Sequence, residues 1–423
     1  MKSGASATTL FREAFLYGLS KIIPGVSGLI AVVLFIRLLG AEAFGEYSFL
    51  LAQCNLTAAL CYGWLNHALL RYHSKDRKAP GFQPAVLGAF SLASLVVVAV
   101  SLLIIIVSPV QPVVLGIILL CIWSMACFNL IKTHFQARIQ PQRVILLTAV
   151  QAGLALLIPV VLIKIFSRTG TSLLIGVTFS FLAVSGWVIF HNIRRWVLTV
   201  HSMLSTLKLE GLLTKWLRFG FPISVWFAAG LALPFLDRFF IDRYLSPLEL
   251  GAYAGLQELL TRFFSLALFP LTMALHPRIM SLWNNAKHAQ AISLLKVGLI
   301  SQLGIFALVI IPALTFEGML FMGIQFAVPE ISARFRPLLI PLLITGFLWQ
   351  VSFLTHKMLE LKERTLLMVV FMAFSLGINV IGNTIFLPSF GVIATAYTAM
   401  LSALSYFTLT AGFSTYTLIR KKY

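Results

Sequence analysis

Apolar runs of roughly twenty residues, separated by short polar clusters, set the rhythm of this chain. A hydrocarbon layer about 30 Å thick takes roughly 20 residues of helix to cross. About twelve stretches qualify: approximately 15 to 36, 47 to 70, 82 to 107, 113 to 131, 144 to 163, 171 to 190, 219 to 236, 251 to 276, 291 to 316, 337 to 356, 365 to 387 and 391 to 418. Stretches such as "SLLIIIVSP" and "IILLCIW" are apolar at every position rather than at alternate ones. That excludes the strands of a closed barrel and predicts membrane-spanning helices. The expected fold class is an all-α polytopic membrane protein.

Composition agrees with the pattern. Hydrophobic residues make up 59% of the chain and charged residues 11%, far from the balance of a domain whose surface must meet water. The formal net charge of +19 raises the possibility of a nucleic-acid partner, but its distribution removes it. With the amino terminus in the cytoplasm, most Lys and Arg fall on cytoplasmic segments, in clusters such as "RYHSKDRK" from Arg71, "NIRRW" from Asn192 and the terminal "RKKY". This is the positive-inside signal. It predicts a multi-pass membrane protein with both termini in the cytoplasm and no nucleic-acid partner. The first apolar stretch lacks a small-residue cleavage site and reads as a retained helix.

The chain also repeats itself. "RLLGAEAFGEY" begins at Arg37 and "RYLSPLELGAY" at Arg243, so a shift of 206 residues lays Arg37 on Arg243, Gly45 on Gly251 and Tyr47 on Tyr253. Each copy follows the first span of a six-span half, and an even span count makes the halves parallel. Parallel repeats about an axis along the membrane normal are one transporter architecture, with substrate held near the midplane. The expected organisation is a six-helix bundle over 1–200, a cytoplasmic linker over 201–218 and a second six-helix bundle over 219–423, with a central cavity. The two glycines suit close helix entry, and the two tyrosines suit the membrane interface.

Candidate chemistry is sparse. There is no phosphate-binding loop of the GxxxxGK[ST] type, no HExxH and no Cys/His cluster with ligand spacing, so no catalytic residue, metal or cofactor is expected. Cys54, Cys61, Cys121 and Cys127 lie in apolar spans and read as free thiols. The longest external segment, about 317–336, is too short for a soluble domain that could house catalysis. An ionisable side chain within hydrocarbon costs roughly 2.5 to 3.5 kcal/mol on insertion scales, so each one needs a reason. Lys21 precedes Pro24 and Gly25 in the first span, where either a kinked helix presents it to a cavity or it snorkels to headgroups. Arg262 lies about 16 Å into the eighth span, four residues after Glu258 on the same face. It is either an ion pair holding helices in register or a guanidinium lining a substrate path, its planar fork suited to phosphate oxygens. Lys296 is near enough to the cytoplasmic side to snorkel. Asp237 and Arg238 are expected at the interface rather than in a buried ion site. The amides Gln53, Asn55, Gln302, Gln350, Asn379 and Asn383 suit helix-to-helix hydrogen bonds.

The two turn motifs, the spans and "GAYAGLQELLTRFFSLALFPLTMALHPRIMSLW" together resemble the Wzx-like polysaccharide flippases, a branch of the superfamily that includes multidrug and toxin extruders. The resemblance implies a non-enzymatic carrier that moves a polyprenyl-pyrophosphate-linked oligosaccharide from the cytoplasmic to the outer leaflet by alternating access, with ion coupling. It also implies membrane lipid and polysaccharide-assembly proteins as neighbours. The related lipid II flippases carry cavity-facing cations in the first and eighth helices, which carries the role of pyrophosphate contact to Lys21 and Arg262. The lysine is a departure that replaces a two-pronged donor with a point charge. Lys296 is a further substrate-binding candidate, and Glu258 a candidate for ion coupling or an ion pair. Those relatives have two more helices after the twelfth, so cell-wall precursor is not the expected cargo. A cation-coupled drug exporter of the same superfamily and a membrane-embedded glycan polymerase are the alternatives.

Overall fold

The computed structural model describes residues 7–76, 82–107, 111–165, 168–191, 210–329 and 331–419. Side chains are described from residue 22 onward, apart from 74–76, 100–107, 210, 277, 284, 418 and 419. Among the described residues there is no strand. The first half contributes α1 (Ala7–Leu39), α2 (Ala41–Asp76), α3 (Phe82–Val107), α4 (Pro112–Ala137), α5 (Pro141–Ile165) and α6 (Gly170–His191). The second contributes α7 (Glu210–Tyr244), α8 (Pro247–Asn284), α9 (His288–Thr315), α10 (Glu317–Ala327), a 3-10 turn (Ala333–Leu338), α11 (Leu339–Thr355), α12 (Lys357–Leu361), α13 (Thr365–Phe390) and α14 (Val392–Ile419).

Eleven of the described helices are long and apolar enough to cross a membrane. The remaining long helix, α2, is diluted by Gln53, Asn55, Asn66 and His67 and by charges at both ends. Prolines at the first helical position open α4, α5 and α8, where the missing N–H has no helical partner to lose. At α8 the start is reinforced by a capping box. Ser246 Oγ accepts from the Glu249 amide at 3.3 Å, and Glu249 reaches back to the Ser246 amide at 3.1 Å. α8 runs for 38 residues, about 57 Å at 1.5 Å per residue, and so outruns the hydrocarbon layer.

Residues 210–218, placed in the linker by the expected organisation, are helical and continuous with the rest of α7, while 192–209 lie outside the described residues. The segment after α9 holds α10 followed by the 3-10 turn.

By contact the chain forms two compact units, Met1–Ser48 with Ala232–Tyr423, and Phe49–Leu231. The divisions fall within α2 and α7. In the first unit, α8 packs against α1, α9 and α11, and α14 packs against α11 and α13. Its apolar core includes Leu275, Ile279, Leu295, Leu354 and Met358. In the second unit, α5 and α4 pack on α6, around Phe128, Ile131, Leu147 and Val184. A separate cluster there gathers Trp64, Leu69, Phe82, Leu130 and Trp216. The four cysteines are free.

The repeat has a steric counterpart inside the first unit. A Cβ on Gly45 would sit 2.7 Å from the Gly251 backbone nitrogen, and one on Gly251 would sit 1.8 Å from the Ala41 carbonyl oxygen. The matched glycines of the two copies thus lie backbone to backbone, which no side chain would permit. Arg37 of the first copy donates to the Phe326 and Ala327 carbonyls at the end of α10. Tyr47 and Tyr253 are buried rather than interfacial.

Candidate functional site

A chain of charged and amide side chains threads the first unit where α7, α8 and α13 meet beside α1. Asp237 and Arg238 are consecutive on α7 and so project about 100° apart. They are 1% and 4% exposed, which overturns the expectation of an interfacial position. The sequence signal was present, two ionisable residues inside "PFLDRFF", but flanking aromatics are equally compatible with an interface. Partners spread over three other helices decide the matter.

Asp237 accepts hydrogen bonds from the Tyr253 hydroxyl at 2.7 Å, Gln257 Nε2 at 3.1 Å, Asn379 Nδ2 at 2.8 Å and Asn383 Nδ2 at 3.4 Å. Tyr253 and Gln257 are four apart on α8, and Asn379 and Asn383 four apart on α13, so each pair presents one face to the carboxylate. A buried carboxylate is tolerated only with such a shell, because leaving water costs it several kcal/mol (roughly). Among the described residues, Asn383 Oδ1 on α13 is buried without a hydrogen-bond partner, as is Thr395 Oγ1 on α14.

Arg238 faces the other way. Its guanidinium donates to the Ser48 carbonyl at 3.1 Å, Gln257 Oε1 at 3.2 Å and Glu258 Oε1 at 3.0 Å. Glu258 Oε2 in turn accepts from Arg262 Nε at 2.9 Å. Glu258 is therefore held between two guanidiniums. The bond between helices runs through Arg238, whereas Arg262 pairs within its own helix at the favourable four-residue spacing.

Arg262 is placed differently from Arg238. Its side chain is 31% exposed, and its two terminal nitrogens make no hydrogen bond among the described residues. One of them lies against α1, where a Cβ on Gly28 would come 1.8 Å from it, and one turn away a Cβ on Gly25 would come 2.8 Å from Leu266. Gly25 and Gly28 share a face of α1, as do Arg262 and Leu266 on α8, so Gly28 makes the seat on which the guanidinium rests and Gly25 admits Leu266. α1 continues as helix through Pro24.

Of the residues singled out in sequence, the structure brings Glu258 and Arg262 together and adds Asp237, Arg238, Tyr253, Gln257, Asn379 and Asn383. Lys296 is exposed on α9 and makes no hydrogen bond to this network. Lys21 belongs to α1, but its side chain lies outside the described residues. Gln302 takes the helix-joining role expected of it, donating to Thr272 Oγ1 on α8 at 2.9 Å.

A second buried polar cluster forms where α11 passes into α12. Lys357 Nζ meets Glu360 at 2.6 Å and His276 Nδ1 at 2.8 Å, His356 meets Glu360 at 3.1 Å, and the Tyr406 hydroxyl meets His356 Nδ1 at 3.2 Å. It ties α8, α12 and α14 together through one carboxylate.

Comparison with known proteins adds two findings. The family model described as "Polysaccharide biosynthesis protein" matches residues 10–283. The fold is similar to that of lipid II flippase MurJ in an inward closed conformation, at 14% identity and a TM-score of 0.70, covering 95% of this chain and 88% of that one. It is also similar to a Vibrio cholerae MATE transporter, VcmN, at 15% identity and 0.63 over 98% of each chain. An outward-facing MATE multidrug transporter of the MOP superfamily gives 13% and 0.62 over 97% and 96%. At such identities the likeness is one of fold. No curated protein matches the chain significantly.

Proposed function

Since the chain belongs to the polysaccharide biosynthesis protein family and has the fold of MOP-superfamily transporters, we propose that it is a flippase for a polyprenyl-pyrophosphate-linked oligosaccharide. The cargo moves from the cytoplasmic to the outer leaflet of the bacterial inner membrane by alternating access. The observation that carries this reading is Arg262. It is oriented by Glu258 through Nε, seated on Gly28, and has both terminal nitrogens uncommitted. A guanidinium so held can offer its outer edge to a pyrophosphate oxygen without breaking its own ion pair. The polyprenyl tail stays in lipid, while the charged head, which hydrocarbon will not dissolve, passes over cationic and amide groups. Lys21 and Lys296 remain proposed contacts further along the path.

Ion coupling is better assigned to Asp237 than to Glu258. Two guanidiniums already neutralise Glu258, so taking up a proton or a cation there would oppose both. Around Asp237 the donors are neutral amides and a phenol, with Arg238 turned to other partners, and Asn383, one of those donors, keeps its own Oδ1 unused among the described residues.

Replacing Arg262 with Ala should abolish surface polysaccharide in the producing strain while the protein remains inserted in the membrane. Wild-type glycan display with this variant defeats the flippase mechanism. The drug-exporter alternative rests on the likeness to MATE transporters, and it predicts drug resistance when the chain is expressed in a strain stripped of efflux pumps.

A further inference from the structure

In the first unit, α10 turns its apolar side outward. At 100° per residue Met319, Met322 and Phe326 fall within about 60° of arc, and all three are exposed, Phe326 at 84%. The other side carries the contacts of the helix. Phe321 is buried, Glu317 pairs with Arg336 at 3.2 Å, and Gln325 Nε2 donates to the Ile331 carbonyl at 3.1 Å. Arg37 of α1 holds the Phe326 and Ala327 carbonyls, so the last turn is tied to a second helix. Two methionines and a phenylalanine are thus presented outward by a helix that is fixed at several points.

This stripe continues one that already has an occupant. On α9, Val297, Ile300, Leu303, Leu308, Ile311 and Leu314 are exposed and lie within about 140° of arc. α9 is long and apolar enough to cross a membrane, and aliphatic side chains along one side of such a helix meet acyl chains. Phe316, also exposed, joins the two helices. Its N–H donates to the Pro312 carbonyl at 2.8 Å and its carbonyl accepts from the Leu320 N–H at 3.0 Å, so hydrogen bonding carries through a bend at that residue, where φ is −120° and ψ 35°. Thr315 beside it turns its hydroxyl back to the Ile311 carbonyl at 2.9 Å. Past α10 the character changes, with Ser332, Arg334 and Arg336 exposed. An apolar helix side followed closely by exposed arginines suits the boundary between headgroups and acyl chains, where such a side lies about 5–10 Å deep. We infer that α10 lies in the surface of the bilayer, with Met319, Met322 and Phe326 among the lipids of the leaflet at the carboxyl end of α9. In the expected orientation this is the outer leaflet. The segment after α9 is then a membrane contact rather than a water-exposed connection. The inference depends neither on the flippase reading nor on which leaflet faces outward.

The test uses the full chain in phospholipid nanodiscs, one chain to a disc. A nitroxide is placed in turn at Met319→Cys, Phe326→Cys and Arg334→Cys, with Cys54, Cys61, Cys121 and Cys127 replaced by Ala. Its collisions are measured with oxygen, which concentrates among acyl chains, and with a water-soluble nickel complex. At 319 and 326 oxygen should prevail over nickel several-fold, and at 334 nickel should prevail. Nickel prevailing at 319 and 326 would place the stripe in water, and few collisions with either reagent would place it against protein; both results overturn the inference. A second measurement on the unmodified chain covers the case in which the cysteine-free chain does not fold. Hydroxyl radicals are generated in the water phase around the same discs, and oxidation of Met319 and Met322 is read by mass spectrometry. Yields as low as those of the buried Met358 and Met372 are expected, whereas yields several-fold higher would overturn the inference.

Discussion

Glu258 is bonded to guanidiniums on two helices, and its removal would leave Arg238 buried without a counter-charge. Stranding one member of a buried pair costs about 3–5 kcal/mol. Glu258→Ala should therefore sharply lower the thermal midpoint of the purified protein in detergent, and a midpoint within a degree of wild type would show that the network contributes no stability. The same reasoning applies to Glu360, which neutralises buried Lys357. Gly28 tests position rather than stability. In Gly28→Ala the added carbon falls on the far end of a flexible side chain, so the helix survives and the guanidinium must leave its seat. Insertion should be normal while transport falls, approaching a hundredfold (about) if misplacing a binding group here resembles misplacement in enzymes. Full transport by this variant would mean that the seat on α1 is irrelevant. Asp237→Asn should abolish dependence of transport on the driving ion, measured in vesicles with imposed proton or sodium gradients. An unchanged dependence would remove Asp237 from coupling.

At the scale of elements, the two copies of the repeat begin their helices differently. The first turns directly from α1 into α2, whereas the second uses the Ser246 and Glu249 box to start α8. Loss of such a cap costs typically about 1 kcal/mol. Ser246→Ala should thus lower stability modestly and leave the Arg262 network, four turns away, in place. A large loss of transport at normal expression would show instead that the start of α8 is coupled to the site. The apolar pattern identified the long helices because all-round hydrophobicity is a property of each segment alone. The helical form of α10 was less legible. Turn-forming residues interrupt the hydropathy there, although helix geometry does not forbid them.

For the whole molecule, the proposed arrangement of parallel halves with both termini in the cytoplasm makes a direct topological prediction. Arg243 is exposed at the turn between α7 and α8, so Arg243→Cys should react with a membrane-impermeant maleimide added outside intact cells. Lys287→Cys, between α8 and α9, should react only after lysis. The reverse pattern would invert the assigned orientation. Length and apolar runs were enough to establish a polytopic helical membrane protein, and the repeated turn with its glycines, taken with the stretch that follows its second copy, was enough to point to the family. Each of these depends on local composition or on a match between stretches of chain. The pairing of Asp237 with Asn379 and Asn383, the separation of Arg238 from Arg262 by burial and the resting of Arg262 on Gly28 were decided only by tertiary structure. A lone ionisable residue in an apolar helix has the same sequence signature whether it meets lipid, water or a partner from a distant helix, and only packing selects among them.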